Sequence, residues 1–436
     1  MISAIKTTDV LSDVSVFTGG KWREHSDIHI VGGIVTDIVP AAVRGSETRH
    51  VIPGFVNAHT HLQQSLMRGM AENTGLLEWL QLIGTETVRI TPERAYLATV
   101  SAALELLRSG TTTVVEHMWP SPSSEVHQAV VRGLRDTGIR AVLGRGIADR
   151  ADASRRWGFE PALLSPIDDV LDHVTELIEL TAGSTISLAL AVPNPRSISV
   201  QGLAATREYA DSHDIPVMIH LLETSVDDVM CREHVGKGAV EFLDTAGFLW
   251  PRLLAVHCVE LDGPGQELLS ERGVAVAYNP VCNMRMGSGV APVPAMLERG
   301  MNVGLGVDGA ASNDTQDMFQ AFRIGSYLQR VAHKRADIMG FAEMVDIACG
   351  GANGNLGLPT VKGGVTIGAP ADLTVVRFDR DYATLPVRDA GAMILTAGSA
   401  AIVDSVLVDG EVVFRDGRST RVDEDALTKE LAGLDV

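Results

Sequence analysis

The sequence predicts an α/β protein: a (β/α)8 barrel of the TIM type carrying a small β-sandwich built from both chain ends. Three observations lead there. Both ends of the 436-residue chain hold short β-rich runs without helical spacing. The long middle alternates apolar β-runs with helical patterns, the signature of βαβ units and a parallel sheet. Residues able to do chemistry recur at the predicted strand ends, where a barrel builds its site.

Residues 14–17, 27–31 and 34–39, broken by Gly19-Gly20 and Gly32-Gly33, read as a β-meander. The same texture returns at 372–378, 401–408 and 411–414, with turns at Asp409-Gly410 and Asp416-Gly417. The ends are expected to pair into one composite domain of residues 1–52 and 364–436 around a catalytic barrel of residues 53–363. Residues 51–56 around Pro53 read as one short buried strand running up to His59-Thr60-His61. Further strands are expected to end at Glu116, Arg145, Val192, His220, His257, Asn279 and Asp308. Between them, Thr91-Pro92-Glu93 is an N-cap with proline at the first helical position, and Gly110 closes the same helix. An open doubly wound sheet is the alternative, but no G-x-G-x-x-G follows the first strand.

Composition excludes several classes. A formal charge of −19, from Asp+Glu 55 against Lys+Arg 36, disfavours nucleic acid and anionic membranes as partners. No apolar run reaches the roughly 18 residues of a membrane span. Residues 1–6 lack a long apolar region and a cleavage site, so a cytoplasmic address is expected. Cys231, Cys258, Cys282 and Cys349 lie far apart without a C-x-x-C pair, which argues against disulfides and a thiolate zinc site.

His59 and His61 are two apart at a strand end, so both imidazoles face one way, and neutral imidazole is a common ligand for zinc-like metals. His220 and Glu223, His257 and Asp308 fall at other strand ends, which in a barrel converge on one mouth. Each has a plain alternative: a satisfied core histidine, a turn at Asp308-Gly309, a helix-start acid at Glu223. Their coincidence at separate strand ends is what those alternatives leave unexplained.

The chain resembles the amidohydrolase superfamily, in its cytosine/guanine/triazine deaminase-like branch. The residues that carry the likeness span nearly the whole chain. They are P-G-F-V-N-A-H59-T-H61, Arg68-Gly69, Leu77-Glu78-Trp79-Leu80, Ser109-Gly110-Thr111-Thr112-Thr113 and His220-Leu221-Leu222-Glu223. Val256-His257, Asn279-Pro280-Val281-Cys282-Asn283-Met284, Gly306-Val307-Asp308-Gly309 and Ala371-Asp372-Leu373 complete them. The resemblance implies that His59, His61, His220 and Asp308 ligate one divalent metal, usually Zn²⁺ and in some members Fe²⁺. It implies that Glu223 shuttles protons to the ring nitrogen and the leaving amine. His257 would polarise the attacking water, and Asp308 would accept its proton. Binuclear members carry a carbamylated lysine near the fourth strand; here no lysine lies between Lys21 and Lys237, so a mononuclear site is expected.

For the substrate, Gln64 resembles the ring-binding position of 8-oxoguanine deaminases, and Glu116, His117, Trp119, Arg145, Asn194, Arg196 and Asn283 are the other expected substrate contacts. Arg145, Arg196 and Arg285 are each expected to face a carbonyl or an anionic group, or to serve a structural ion pair. Tyr278, Cys282 and Pro193-Asn194-Pro195-Arg196 depart from relatives that deaminate adenosine-like substrates. The expected function is therefore metal-dependent deamination of a small nitrogen heterocycle, foremost an oxopurine or pterin such as guanine, 8-oxoguanine or isoxanthopterin. Alternatives are a triazine hydrolase, an adenosine or S-adenosylhomocysteine type deaminase, and a non-catalytic binding protein that keeps the fold. A homodimer or higher homo-oligomer is expected, by resemblance.

Overall fold

The structure, a computed structural model, describes residues 8–45, 49–151 and 160–434; the N-terminal segment 1–6, expected to carry no leader, lies outside them. The chain forms two eight-stranded sheets. In the first, the N-terminal strands Thr8–Thr18, Lys21–Val31 and Ile34–Pro40 join the C-terminal strands Leu373–Val376, Val403–Val408, Glu411–Arg415 and Arg418–Ser419. The seam is Arg49–Pro53, parallel to Thr8–Thr18 on one side and antiparallel to Leu373–Val376 on the other. An isolated bridge between Ile34 and Pro370 ties the far edge back toward the middle, so the sheet curls on itself. Its apolar face packs Val14, Val16, Ile28, Ile30, Val51, Leu373 and Leu407 together. Asp409 and Gly410, and again Asp416 and Gly417, have positive φ, the paired left-handed residues that an Asp-Gly hairpin turn requires. The C-terminal return also contains helices, Ala390–Ala397 and Glu424–Ala432, which lie between and after the expected β-runs.

The second sheet is a barrel of parallel strands in sequence order: Phe55–Thr60, Thr111–His117, Arg140–Gly146, Ile186–Val192, Val217–Leu221, Leu253–His257, Ala275–Tyr278 and Val303–Leu305. The last strand returns to the first through Asp308 N donating to His59 O at 2.9 Å. Small and medium side chains, among them Ala58, Val115, Ala189, Met218, Leu254 and Ala277, fill the interior. Helices cover the outside. In Pro92–Arg108 the buried positions Ala95, Ala98, Ala102, Ala103 and Leu106 recur at helical spacing, and Thr91 Oγ1 caps the first turn by accepting from Arg94 N at 3.2 Å.

One expectation needs correction here. Residues 51–56 are not one strand: Arg49–Pro53 belongs to the small sheet and Phe55–Thr60 to the barrel. Gly54 N donates to Asp372 O at 2.9 Å, whereas Phe55 N donates to Gly110 O at 3.0 Å, so adjacent amides serve different sheets. The crossing runs so close to the second barrel strand that a Cβ on residue 54 would sit 2.1 Å from Thr112 Cγ2. The four cysteines are free and buried. Among the described residues no helix is long and apolar enough to cross a membrane.

Candidate active site and metal centre

The carboxyl ends of the first, fifth and sixth barrel strands and the loop after the eighth bring His59, His61, His220, Glu223, His257 and Asp308 together. His59 Nε2 lies 3.4 Å and His61 Nε2 3.5 Å from Asp308 Oδ1. The ring centroids of His59 and His220 are 4.9 Å apart, and those of His61 and His220 5.3 Å. His257 Nε2 lies 3.6 Å from Glu223 Oε2 and 3.9 Å from Asp308 Oδ2. His257 and Asp308 both carry positive φ, at 74° and 68°. Non-glycine residues rarely adopt that conformation, and it turns their side chains back over the mouth. Asp308 is locked there by its carbonyl, which accepts from Thr60 Oγ1 at 2.8 Å and from Gln316 Nε2 at 2.9 Å.

The donor set fits a metal. His59, His61 and His220 offer nitrogen atoms within 4.8 Å of one another, and so do His59, His257 and Asp308 with their ligand atoms. Both nitrogens of His59 and Nδ1 of His220 are buried without a hydrogen-bond partner. His61 Nδ1 donates to His117 O at 2.6 Å, which leaves Nε2 with its lone pair toward the cluster, the usual support of a metal-binding imidazole. Burial, then the field of His59, lowers the His61 pKa to about 3; burial also holds His220 well below its ordinary value. These imidazoles are therefore neutral and ligand-ready at pH 7. Burial opposes ionisation of Asp308, but the His59 ring, with Nε2 3.4 Å from Oδ1, and then His61 and His257 outweigh it and hold the carboxylate well below its usual range. Glu223 moves the other way. Burial first, then the Asp308 and Asp227 carboxylates, push it well above its ordinary value against the pull of Arg196. The two carboxyls are thus pushed in opposite directions, the kind of split that acid–base work uses.

A cleft opens above this cluster, with about 680 Å³ of empty space when the open solvent at its mouth is counted. Leu76, Trp79, Leu80, Trp119, Leu222 and Met286 form its apolar wall, and Asn194, Arg196, Asp227 and Ser312 join the cluster as its polar lining. Of the expected substrate contacts, Trp119, Asn194 and Arg196 stand on this wall and the other five do not. Gln64 is buried under the Asp308 turn, where a Cβ on Gly309 would fall 1.9 Å from its Oε1. Glu116 Oε2 accepts from Leu62 N at 2.7 Å, and burial pushes its pKa up to about 8. The His117 ring packs against His220 with centroids 4.4 Å apart, behind the ligand cluster. Arg145 donates to Ser121 O at 2.9 Å and to His173 Nδ1 at 3.3 Å, a structural engagement. Asn283 Nδ2 donates to His257 Nδ1 at 3.0 Å, so it holds that imidazole rather than lining the cleft. Arg285 is taken by Asp314 at 2.7 Å and Glu72 at 3.1 Å.

Two residues not foreseen as site members belong here. Asp227, in the first turn of the following helix Ser225–Val235, pairs with Arg196 Nη1 at 2.8 Å. Cys282, singled out in the sequence only as a departure from adenosine-type relatives, offers its sulfur to the group formed with Glu223 and His257.

Fold and site together define a barrel hydrolase with a histidine–carboxylate centre at the carboxyl-terminal mouth. The chain belongs to the amidohydrolase family, whose sequence profile matches residues 50–413. It is a hydrolase acting on carbon–nitrogen bonds. It is 34% identical over 378 residues to the 5-methylthioadenosine/S-adenosylhomocysteine deaminase of Syntrophobacter fumaroxidans, covering 86% of this chain and 83% of that one. It is 33% identical over 384 residues to the 5'-deoxyadenosine deaminase of Methanothermobacter thermautotrophicus, covering 88% and 86%. Among solved structures, a zinc-bound adenosine deaminase from Xanthomonas campestris superposes with a TM-score of 0.85 at 27% identity over 96% of each chain. Zinc-bound atrazine chlorohydrolase from Arthrobacter aurescens shares the fold, with a TM-score of 0.88 at 23% identity over 97% and 99%.

Proposed function

We propose that this chain is a metal-dependent aminohydrolase that replaces the 6-amino group of an adenosine-type nucleoside with oxygen and releases ammonia. The observation that carries the reading is the convergence of Glu223, His257 and Asp308 on the floor of one cleft with a largely apolar wall. The relatives favour adenosine-type substrates over the oxopurines and pterins expected from the sequence. The residues behind that expectation also lose their force. Gln64 lies off the cavity wall. Tyr278, counted against nucleosides, is fully buried with its hydroxyl on Gly325 O at 3.3 Å, away from the cavity.

His59, His61, His220 and Asp308 would hold one divalent ion, with Zn²⁺ the best match to three imidazoles and a carboxylate. Such an ion supplies Lewis-acid activation of water, bringing its pKa toward about 7. The chain's own groups do the rest. Glu223 donates its proton to ring nitrogen N1, which makes C6 electrophilic. His257 Nε2–H supports the incoming oxygen. Asp308 Oδ2 takes the proton of the attacking water and passes it to the amine, which departs as ammonia, while the hydroxyl left on C6 returns its proton to Glu223 as the carbonyl forms. The apolar wall of Trp79, Trp119, Leu222 and Met286 packs the ring and excludes bulk water.

The test is ammonia release by metal-replete protein from adenosine, 5'-deoxyadenosine, 5-methylthioadenosine and S-adenosylhomocysteine, against guanine, 8-oxoguanine, isoxanthopterin and atrazine. Highest kcat/KM on the nucleosides is expected; preference for guanine or a pterin, or chloride released from atrazine, refutes the reading. Glu223→Gln should keep about one metal per chain while kcat falls about 10²-fold or more.

A further inference from the structure

We propose that Arg196 is the specificity residue for the sugar: its guanidinium binds the 2'- and 3'-oxygens of the nucleoside ribose through Nε–H and Nη2–H. This rests on the adenosine-type reading above and says which part of that substrate the far wall recognises.

Arg196 is only 2% exposed, yet it stands on the cavity wall. Its root is fixed, because Arg196 N donates to Asn194 Oδ1 at 3.0 Å in the turn that follows the fourth barrel strand. Its Nη1 donates to Asp227 Oδ1 at 2.8 Å, and Asp227 Oδ2 accepts from Thr224 N at 3.0 Å, so both oxygens of this anchoring carboxylate are occupied. A guanidinium places Nη1 on the same side as Cδ, which leaves Nε–H and Nη2–H parallel on the opposite edge. Nε is buried and has no acceptor among the described residues. A buried donor without a partner is a standing cost that a bound acceptor removes. Two parallel N–H groups select two neighbouring oxygens, and Asp227 already offsets the positive charge. The other arginines near the mouth, Arg145 and Arg285, are engaged by protein groups. The nucleosides proposed as substrates differ at the 5' position and share the cis-diol, so the diol is the paired acceptor common to them.

The experiment measures kcat/KM of the metal-replete enzyme for adenosine and 2',3'-dideoxyadenosine, in wild type, Arg196→Met and Arg196→Lys. Wild type should prefer adenosine about 10²-fold or more, a factor of roughly ten for each of the two charge-assisted hydrogen bonds lost with the hydroxyls. The ratio should collapse toward unity in Arg196→Met, and also in Arg196→Lys, which keeps the charge but not the fork. Metal content and melting temperature check that the variants are folded, and the lysine variant carries the test if the methionine variant is not. A wild type that treats both substrates alike, or variants that keep the wild-type ratio, overturns the proposal. If loss of Arg196 depresses turnover of S-adenosylhomocysteine alone, the fork reads a carboxylate and the diol assignment is wrong. If wild type deaminates guanine and no nucleoside, the adenosine-type reading itself has failed, a different result from a lost ratio.

Discussion

Replacing Asn283 by aspartate should damage catalysis more than removing its side chain, because the amide chooses where the proton sits on His257. Asn283 Nδ2 lies 3.0 Å and Asn279 Nδ2 3.4 Å from His257 Nδ1. Both are N–H donors, so Nδ1 accepts and the ring proton resides on Nε2, facing Glu223 at 3.6 Å and Asp308 at 3.9 Å. Asn283→Asp keeps the shape but offers a carboxylate, which stabilises Nδ1–H and strips Nε2 of its hydrogen. The lost amide bond contributes about 1 kcal/mol and the new charge-assisted bond favours the wrong tautomer by about 2 kcal/mol more. At roughly 1.4 kcal/mol per factor of ten, kcat should fall about 10²-fold. Asn283→Ala leaves Asn279 to hold the same tautomer, so its loss should stay near 1 kcal/mol, roughly fivefold. The assay is ammonia release with metal content measured on the same samples, supported by ¹⁵N shifts of the His257 ring, which report the protonated nitrogen directly. An aspartate variant with wild-type kcat and one bound metal, or an alanine variant equally impaired, would refute the tautomer argument.

Two further outcomes follow from buried groups away from the mouth. Tyr278→Phe removes a hydroxyl that donates to Gly325 O at 3.3 Å and accepts from Gln329 Nε2 at 3.0 Å, while Gln329 keeps Ala291 O at 2.9 Å. Stability in a denaturant titration should drop by about 1–2 kcal/mol with substrate preference unchanged; a shifted preference would return Tyr278 to the substrate site. His50, packed between Trp22 and Phe378, has its pKa lowered by burial from 6.5 to about 4. Because the folded value is the lower one, the unfolded chain takes up the extra proton between these values, and stability falls as pH drops through this window. About 2 kcal/mol should be lost between pH 7 and pH 5. His50→Gln should flatten that part of the curve; an unchanged slope would remove His50 as its source.

How far the site was legible in the sequence follows from barrel topology. His59, His61, His220, Glu223, His257 and Asp308 lie far apart in the chain, but each closes an apolar run, and parallel strands put every such end on one face. Direction beyond the strand end is a different matter. Glu116 turns to Leu62 N, the ring of His117 lies behind the ligands, and Gln64 packs under Gly309, whereas Arg196 reaches the cavity wall. Tyr278 and Asn279 are neighbours, yet strand alternation sends the first toward Gly325 and the second toward His257. Their residue types alone carry no such information.

By itself the sequence determined the class of this protein: the order of strands and helices, and the histidines and carboxylates that fall at the strand ends. These are local patterns whose meaning is the same wherever the partner strand lies. Only the tertiary structure decided that residues 51–56 split between two sheets at Gly54, that Asn283 serves His257, and that Asp227 anchors Arg196 against the cavity. Those outcomes depend on which distant group comes within hydrogen-bonding reach. Such closeness is a property of packing, which hydrophobic periodicity does not encode.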